Sequence, residues 1–496
     1  MRGWMRLAGA AAAATVIAAV VLLSVRQVPW LAPWQPAGVY ALLWTAFAAG
    51  AWLVLGVGSR RAVPLIVLGG IAIQLAALSA PPQGSDDLYR YIWDGRVQLA
   101  GIDPYHYPPA APQLAGFREH FLWPPDGTYC VGMGGLADGP RAIVRAAPVR
   151  PRHDLLPRGC TRINRPRVPT IYPPVAEAYF TVVAALSWPG SGSVPIQAAA
   201  ALCAIATTLL LIRGLRRLGR DPRYAVFWAW CPVVGLQAGN DAHVDVLAAF
   251  LAAAALLTLA RPGQRQRGWL RAAGGGVLLG LAIATKITPV LLAPGVLRRR
   301  PVTVAVSALA ATAAAYLPHL LAVGRHVIGF LPGYLAQDGY TSGGRFELVS
   351  LLVPGRWATL AAVVILAGAG LLALRWADPD RPWRSALLMT GAALAVTTPA
   401  LLWYSMLLVV LVALDGRPEW LALAAARYLT PLHPLPGRTV PYAGQLGYAL
   451  AVAFVAAITL LRWRAARKNG PDAGHGPPLA ARRALPGVPA GLAPAE

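Results

Sequence analysis

Charge is scarce in this chain. Asp, Glu, Lys and Arg make up only 13% of its 496 residues, and Lys286 and Lys468 are its only lysines. A soluble fold of that length needs far more polar cover, so a soluble enzyme is excluded. Apolar residues make up 57% of the chain and mean hydropathy is +0.53, which excludes disorder. Cysteine is rare too: four residues form no tight His/Cys group, so no essential metal is expected and no cofactor, with a divalent cation left open. What remains is a polytopic membrane protein built of helices, because lipid offers the backbone no hydrogen bonds.

The net charge of +24 does not point to nucleic acid. Its arginines sit in short runs beside apolar segments, at 60–61, 213–220, 261–271, 298–300 and 462–468, as cytoplasmic loops require. The acids fall elsewhere. Nine of the twenty lie between Asp86 and Glu177.

Arg2 and Arg6 place the N-terminus in the cytoplasm, ahead of an apolar run at 7–24. That run is long for a signal peptide and lacks a small-x-small cleavage site, so it reads as an uncleaved span. Spans follow near 38–57 and 62–80, which puts the polar stretch after Pro81 outside. Segment 171–188 is apolar, but a crossing there would turn the arginines of 213–220 outward. It reads as an interfacial helix. Further spans lie near 193–212, 223–239, 243–260, 302–322, 357–374, 385–400, 401–414, 418–430 and 443–461, with a hairpin of two half-helices at 272–297. The expectation is an all-α integral membrane bundle of about 12–14 spans or half-spans, with both termini cytoplasmic. One polytopic domain covers 1–467, with extracytoplasmic loops at 81–192 and 324–356. A disordered cytoplasmic tail occupies 468–496.

Ionisable groups at a membrane edge are costly and mark function. Here they gather on the outer face. The stretch GSDDLYRYIWDGRVQLAGIDPYHYPP (84–109) carries Asp86, Asp87, Arg90, Asp94 and Arg96 among aromatics such as Tyr91. His243 and Asp245 occupy the next outer turn, Lys286 the hairpin tip, and Arg345 and Glu347 the second outer loop. Carboxylates flanked by aromatic rings suit a general base beside a sugar. Cys130 and Cys160 share the long outer loop in an oxidising compartment and are expected to form a disulfide.

An acidic pair after an early span, the outer Tyr172-Pro173-Pro174 helix and the Lys286-to-Pro289 hairpin resemble type-C membrane glycosyltransferases that use polyprenyl-phosphate sugars. SDDLYRYIWDGRV, TIYPPVAEAYF (170–180), NDAHVD (240–245), GGRFELVSLL (343–352) and TTPALLWY (397–404) resemble, more closely, the actinobacterial mannosyltransferases fed by polyprenyl-phosphate mannose. Two features depart from that pattern: an extra pair of N-terminal spans, and no His before Trp403-Tyr404. The resemblance implies a plasma-membrane hexosyltransferase, with mannose the favoured sugar. Its donor is a polyprenyl-phosphate sugar and its acceptor a cell-envelope glycan or glycolipid. Asp87 would be the base and Asp86 its alternate. Arg90, Tyr91, Asp94, Arg96, Tyr172, His243, Asp245, Lys286, Arg345, Glu347, Trp403 and Tyr404 would bind substrate, with Lys286, Arg345 and Arg90 facing the phosphate. An arabinosyl or glucosyl donor, or a flippase of lipid-linked sugars, is the alternative.

Overall fold

The structure, a computed structural model, describes residues 2–27, 35–124, 129–130, 160–260, 268–429 and 443–468. The expected tail beyond Lys468 lies outside them, as does most of the long loop between Cys130 and Cys160. Among the described residues helices dominate, and seven helical stretches are long and apolar enough to cross a membrane. The chain is an all-α polytopic membrane protein.

Three long helices open it: α1 (Arg2–Val25), α2 (Gln35–Leu55) and α3 (Ser59–Ala77). Ala10, Ala14, Ile17, Val21 and Val25 recur every three or four residues and form the buried stripe of α1. Two shorter helices follow, α4 (Asp87–Leu99) and α5 (Pro174–Ala185). Between them the two-residue strands β1 (Tyr129–Cys130) and β2 (Cys160–Thr161) pair antiparallel, with Cys130 opposite Cys160. Cys160 is disulfide-bonded, while Cys203 and Cys231 are free. At 12 residues α5 is about 18 Å long, well short of a bilayer core. It lies along α4, and Gly95 lets the two approach: a Cβ there would sit 2.4 Å from the Phe180 carbonyl oxygen.

The longer helices among the remaining described residues are α6 (Val194–Arg217), α7 (Asp245–Leu259), α8 (Gly268–Ile283), α9 (Pro301–Val323), α10 (Leu331–Gln337), α11 (Arg356–Arg375), α12 (Trp383–Thr397), α13 (Met406–Asp415) and α14 (Ala443–Lys468). Segment 223–239, expected as one span, is instead an interrupted run. Cys231 is extended ahead of Pro232, and a π-type turn covers Gly235–Asn240. The run is buried along its length, so protein and not lipid surrounds its irregular backbone. The peripheral α9 is the opposite case, burying only Val304, Ala308 and Val323.

Side-chain contacts define two ends. At one, Arg6 donates to the Gly56 carbonyl, Arg223 to those of Leu55 and Val57, and Arg220 to that of Asp415. At the other, Arg26 reaches Ser79, Gln197 reaches the Ala80 carbonyl, and Asn240 reaches those of Ala77, Ala80 and Pro81. The chain passes back and forth between an arginine-rich end and a loop-bearing end.

Candidate active site

The loop-bearing end is organised around the start of α4. Asp86 sits at its N-cap and Asp87 is its first residue, where the helix dipole favours carboxylates. The Ser85 hydroxyl accepts from the Asp87 amide at 3.2 Å. Three residues on, Arg90 is buried and aims its Nε at both Asp94 oxygens at 2.9 Å. It was expected to face the donor phosphate; its Nε is taken instead by the i,i+4 partner. Its Nη1 donates to the carbonyls of Val168 and Arg165, at 3.1 and 3.4 Å, which holds segment 160–170 over the helix. The same segment is pinned from outside by Thr161 and the Arg162 amide, both donating to Leu122, and by Ala110 donating to Pro166.

That segment delivers Asn164, whose amide donates to Asp87 Oδ1 at 2.5 Å. The other oxygen, Oδ2, lies 3.6 Å from His243 Nδ1. His243 is wholly buried on the turn before α7, with its ring stacked on Trp403 at a centroid distance of 3.7 Å. Burial lowers its pKa to about 3, so the imidazole is neutral beside the carboxylate. The turn is fixed by Asp241, which accepts from the amides of Gly84 and Gln83.

Lys286, at the break after α8, is 3.1 Å from Asp245 Oδ2. Its ammonium also faces the rings of Tyr172 and Tyr404, at 5.3 and 5.7 Å. Arg345 is paired with Asp338 at 2.9 Å, and Tyr334 joins Tyr404 hydroxyl to hydroxyl at 2.6 Å.

These groups face a cavity of about 1360 Å³. Asp86, Asp87, Arg90, Tyr172, Lys286, Arg345, Trp403 and Tyr404 line it, as do Arg162, Asn164, Arg165 and Tyr334, none of which the sequence singled out. Apolar side chains share the wall, among them Ile287, Val290, Leu291, Leu366, Leu394 and Leu407. Tyr91, Asp94, Arg96, His243, Asp245 and Glu347 were expected to bind substrate but are not on the wall. Tyr91 is buried behind it, stacked on Phe180 at 4.3 Å. Asp94 holds Arg90, His243 backs Asp87 and Asp245 holds Lys286. Arg96 pairs with Glu119, and Glu347 with Arg427 at 3.2 Å. Asp94, His243 and Asp245 thus each hold or back a residue of the wall. Asn164 and the arginines beside it had one sequence signal. The run RINRPR (162–167) is cationic within a loop that the sequence reading expects outside, where the positive-inside rule predicts few cations.

Behind α4, Glu177 is buried and accepts from Thr170 and Gln98 at 2.6 and 2.8 Å. Burial pushes its carboxyl well above the usual range, and the bond from Gln98 joins α4 to α5. Among the described residues no cluster of His, Cys, Asp and Glu has the makings of a metal site.

Comparison with known proteins agrees with the class of chemistry such a site suggests. Residues 170–399 match the model of glycosyltransferase family 87. The matched stretch is under half of the chain; it includes Tyr172, His243, Lys286 and Arg345, and stops short of Asp87 and Asn164 on one side and Trp403 on the other. No curated protein and no solved structure matches the chain.

Proposed function

We propose that the protein is a membrane glycosyltransferase. It moves a hexose, with mannose the favoured sugar, from a polyprenyl-phosphate donor to a cell-envelope glycan or glycolipid. The observation that carries this reading is a carboxylate, Asp87, held by Asn164 on the wall of a large cavity that apolar side chains also line. The family match supports a sugar-transfer reaction. The arginine-rich end would face the cytoplasm under the positive-inside rule, which puts the cavity on the extracytoplasmic side of the plasma membrane.

In this reading Asp87 accepts the proton of the acceptor hydroxyl as that oxygen bonds to the anomeric carbon. The bond from that carbon to the donor phosphate breaks, and its electron pair leaves with the phosphate. Asn164 holds Oδ1, so the carboxylate keeps its orientation while Oδ2 takes the proton. The neutral His243 borders Oδ2 without setting an imidazolium against it. The apolar side chains of the wall suit the first isoprene units of the donor.

The test is to incubate purified protein with labelled polyprenyl-phosphate mannose and an envelope lipid extract. Transfer of label to a new lipid or glycan is the expected result. Movement of the donor across liposomes without transfer would make the protein a flippase. Transfer from only an arabinosyl or glucosyl donor would change the sugar and keep the class.

A further inference from the structure

The cations of the cavity wall fall into two kinds. Arg90, Lys286 and Arg345 are each within 3.1 Å of a carboxylate, on Asp94, Asp245 and Asp338 respectively. Those charges cancel pairwise. Arg162 and Arg165 are held differently. The Arg162 guanidinium lies over Phe121 and Tyr89, at 5.4 and 5.9 Å, and that of Arg165 over Tyr334 and Phe330, at 5.4 and 5.9 Å. Neither pairs with a carboxylate among the described residues. An aromatic face positions a guanidinium while leaving its in-plane N–H groups able to donate.

Two further facts bear on what these groups meet. Asp86 and Asp87 share the wall, and without Arg162 and Arg165 their field would repel an incoming anion. Moreover, Arg165 Nε is buried without a hydrogen-bond partner, as is Nη2 of the neighbouring Arg90, itself only 4% exposed. Buried donors of that kind call for an acceptor. Asn164, between the two arginines in sequence, holds Asp87. An anion gripped here lies beside the base.

We propose that Arg162 and Arg165, held by aromatic rings on either side of Asn164, bind the phosphate of a lipid substrate next to Asp87. Lys286 and Arg345 then shape the wall as ion pairs. The inference rests on the function proposed above and names the residues of its phosphate site. The phosphate belongs either to the polyprenyl donor or to a phospholipid-based acceptor, and the two share the chemistry a guanidinium fork recognises.

Binding in detergent distinguishes these without any sugar transfer. The probes are labelled polyprenyl phosphate, polyprenol of the same chain length, and phosphatidylglycerol. The parent protein should prefer polyprenyl phosphate to polyprenol, and R162Q/R165Q should lose that preference by about 10²-fold while binding polyprenol as before. R162K/R165K, which keeps the charge and loses the fork, should fall between them. Loss confined to phosphatidylglycerol would place the phosphate on the acceptor. A parent with no preference for phosphate would overturn the assignment, and so would an R162Q/R165Q variant that keeps it for both lipids. A parent that prefers phosphate and transfers no sugar would instead sink the proposed function and leave the phosphate site standing.

Discussion

The two ends of the bundle use ion pairs in opposite ways. At the arginine-rich end, Arg299 and Asp380 pair with both side chains about half exposed, and Arg462 reaches Glu419 from an exposed position. Water reaches the arginines of both pairs, although Glu419 itself is buried, and in the proposed orientation these arginines mark the cytoplasmic face. At the loop-bearing end Arg90, Arg345 and Lys286 are paired with little water near them. A desolvated pair is held by its partner, and removing one member strands the other. Charge therefore marks topology at one end and builds a cavity wall at the other. Substitutions should separate the two ends sharply.

The largest effect should come from Asp87. Asp87→Asn preserves size and the contact with Asn164 but removes proton acceptance, so kcat should fall by at least about 10²-fold. Donor affinity should change little, because the base acts on the acceptor. Asp86→Asn should cost much less, since Asn164 and His243 both attend Asp87. Steady-state kinetics of the two variants decides between them, and normal transfer by both would end the acidic-loop mechanism.

Lys286→Met comes next. From sequence alone it reads as a binding variant that leaves the fold intact. The ion pair changes that expectation, because Met would leave the buried Asp245 without its cation. Breaking such a pair costs about 3–5 kcal/mol. K286M should lose thermal stability in detergent, and K286M/D245N should recover much of it. If the single variant is as stable as the parent, Asp245 has another counterion and the wall is wrongly drawn.

How far the sequence foretold this follows from the same contrast. Asp86, Asp87 and Lys286 were legible because a charge beside an apolar run, or at a break before Pro289, is conspicuous in one dimension. The helical class and the shortness of α5 were legible for the same reason. Asn164 was not. Its role depends on segment 160–170 folding back over α4, which the Arg90–Val168 bond and the Leu122 contacts bring about. Nor could spacing show that Arg90 would choose Asp94 over Asp87, or that His243 would stack on Trp403. The interruption of 223–239 was half visible: Pro232 announces a break, but only burial on all sides shows why it is tolerated.

A smaller effect is expected where α4 meets α5. Gly95→Ala would drive a methyl group into the Phe180 carbonyl, and backbone cannot step aside as a flexible side chain can. Overpacking of this kind costs about 1–3 kcal/mol. Because the same helix begins with Asp87, kcat should fall along with the melting temperature. A variant that loses stability and keeps full turnover would show that the base is positioned from segment 160–170 alone.

The smallest effect belongs to the arginine-rich end. Arg299→Gln removes one member of a pair whose oxygen and nitrogen lie 3.0 Å apart, the same separation, to within a tenth of an ångström, as that of Lys286 and Asp245. Distance alone would make the two equivalent. Exposure separates them, because water already solvates both partners near Arg299 and salt screens what attraction is left. The expected cost is below about 1 kcal/mol, and it should shrink further between low and physiological ionic strength. Thermal melts of R299Q and K286M, each at two salt concentrations, test this directly. A loss for R299Q comparable with that of K286M, or one that salt does not reduce, would mean that charge at the arginine-rich end builds structure as well as topology.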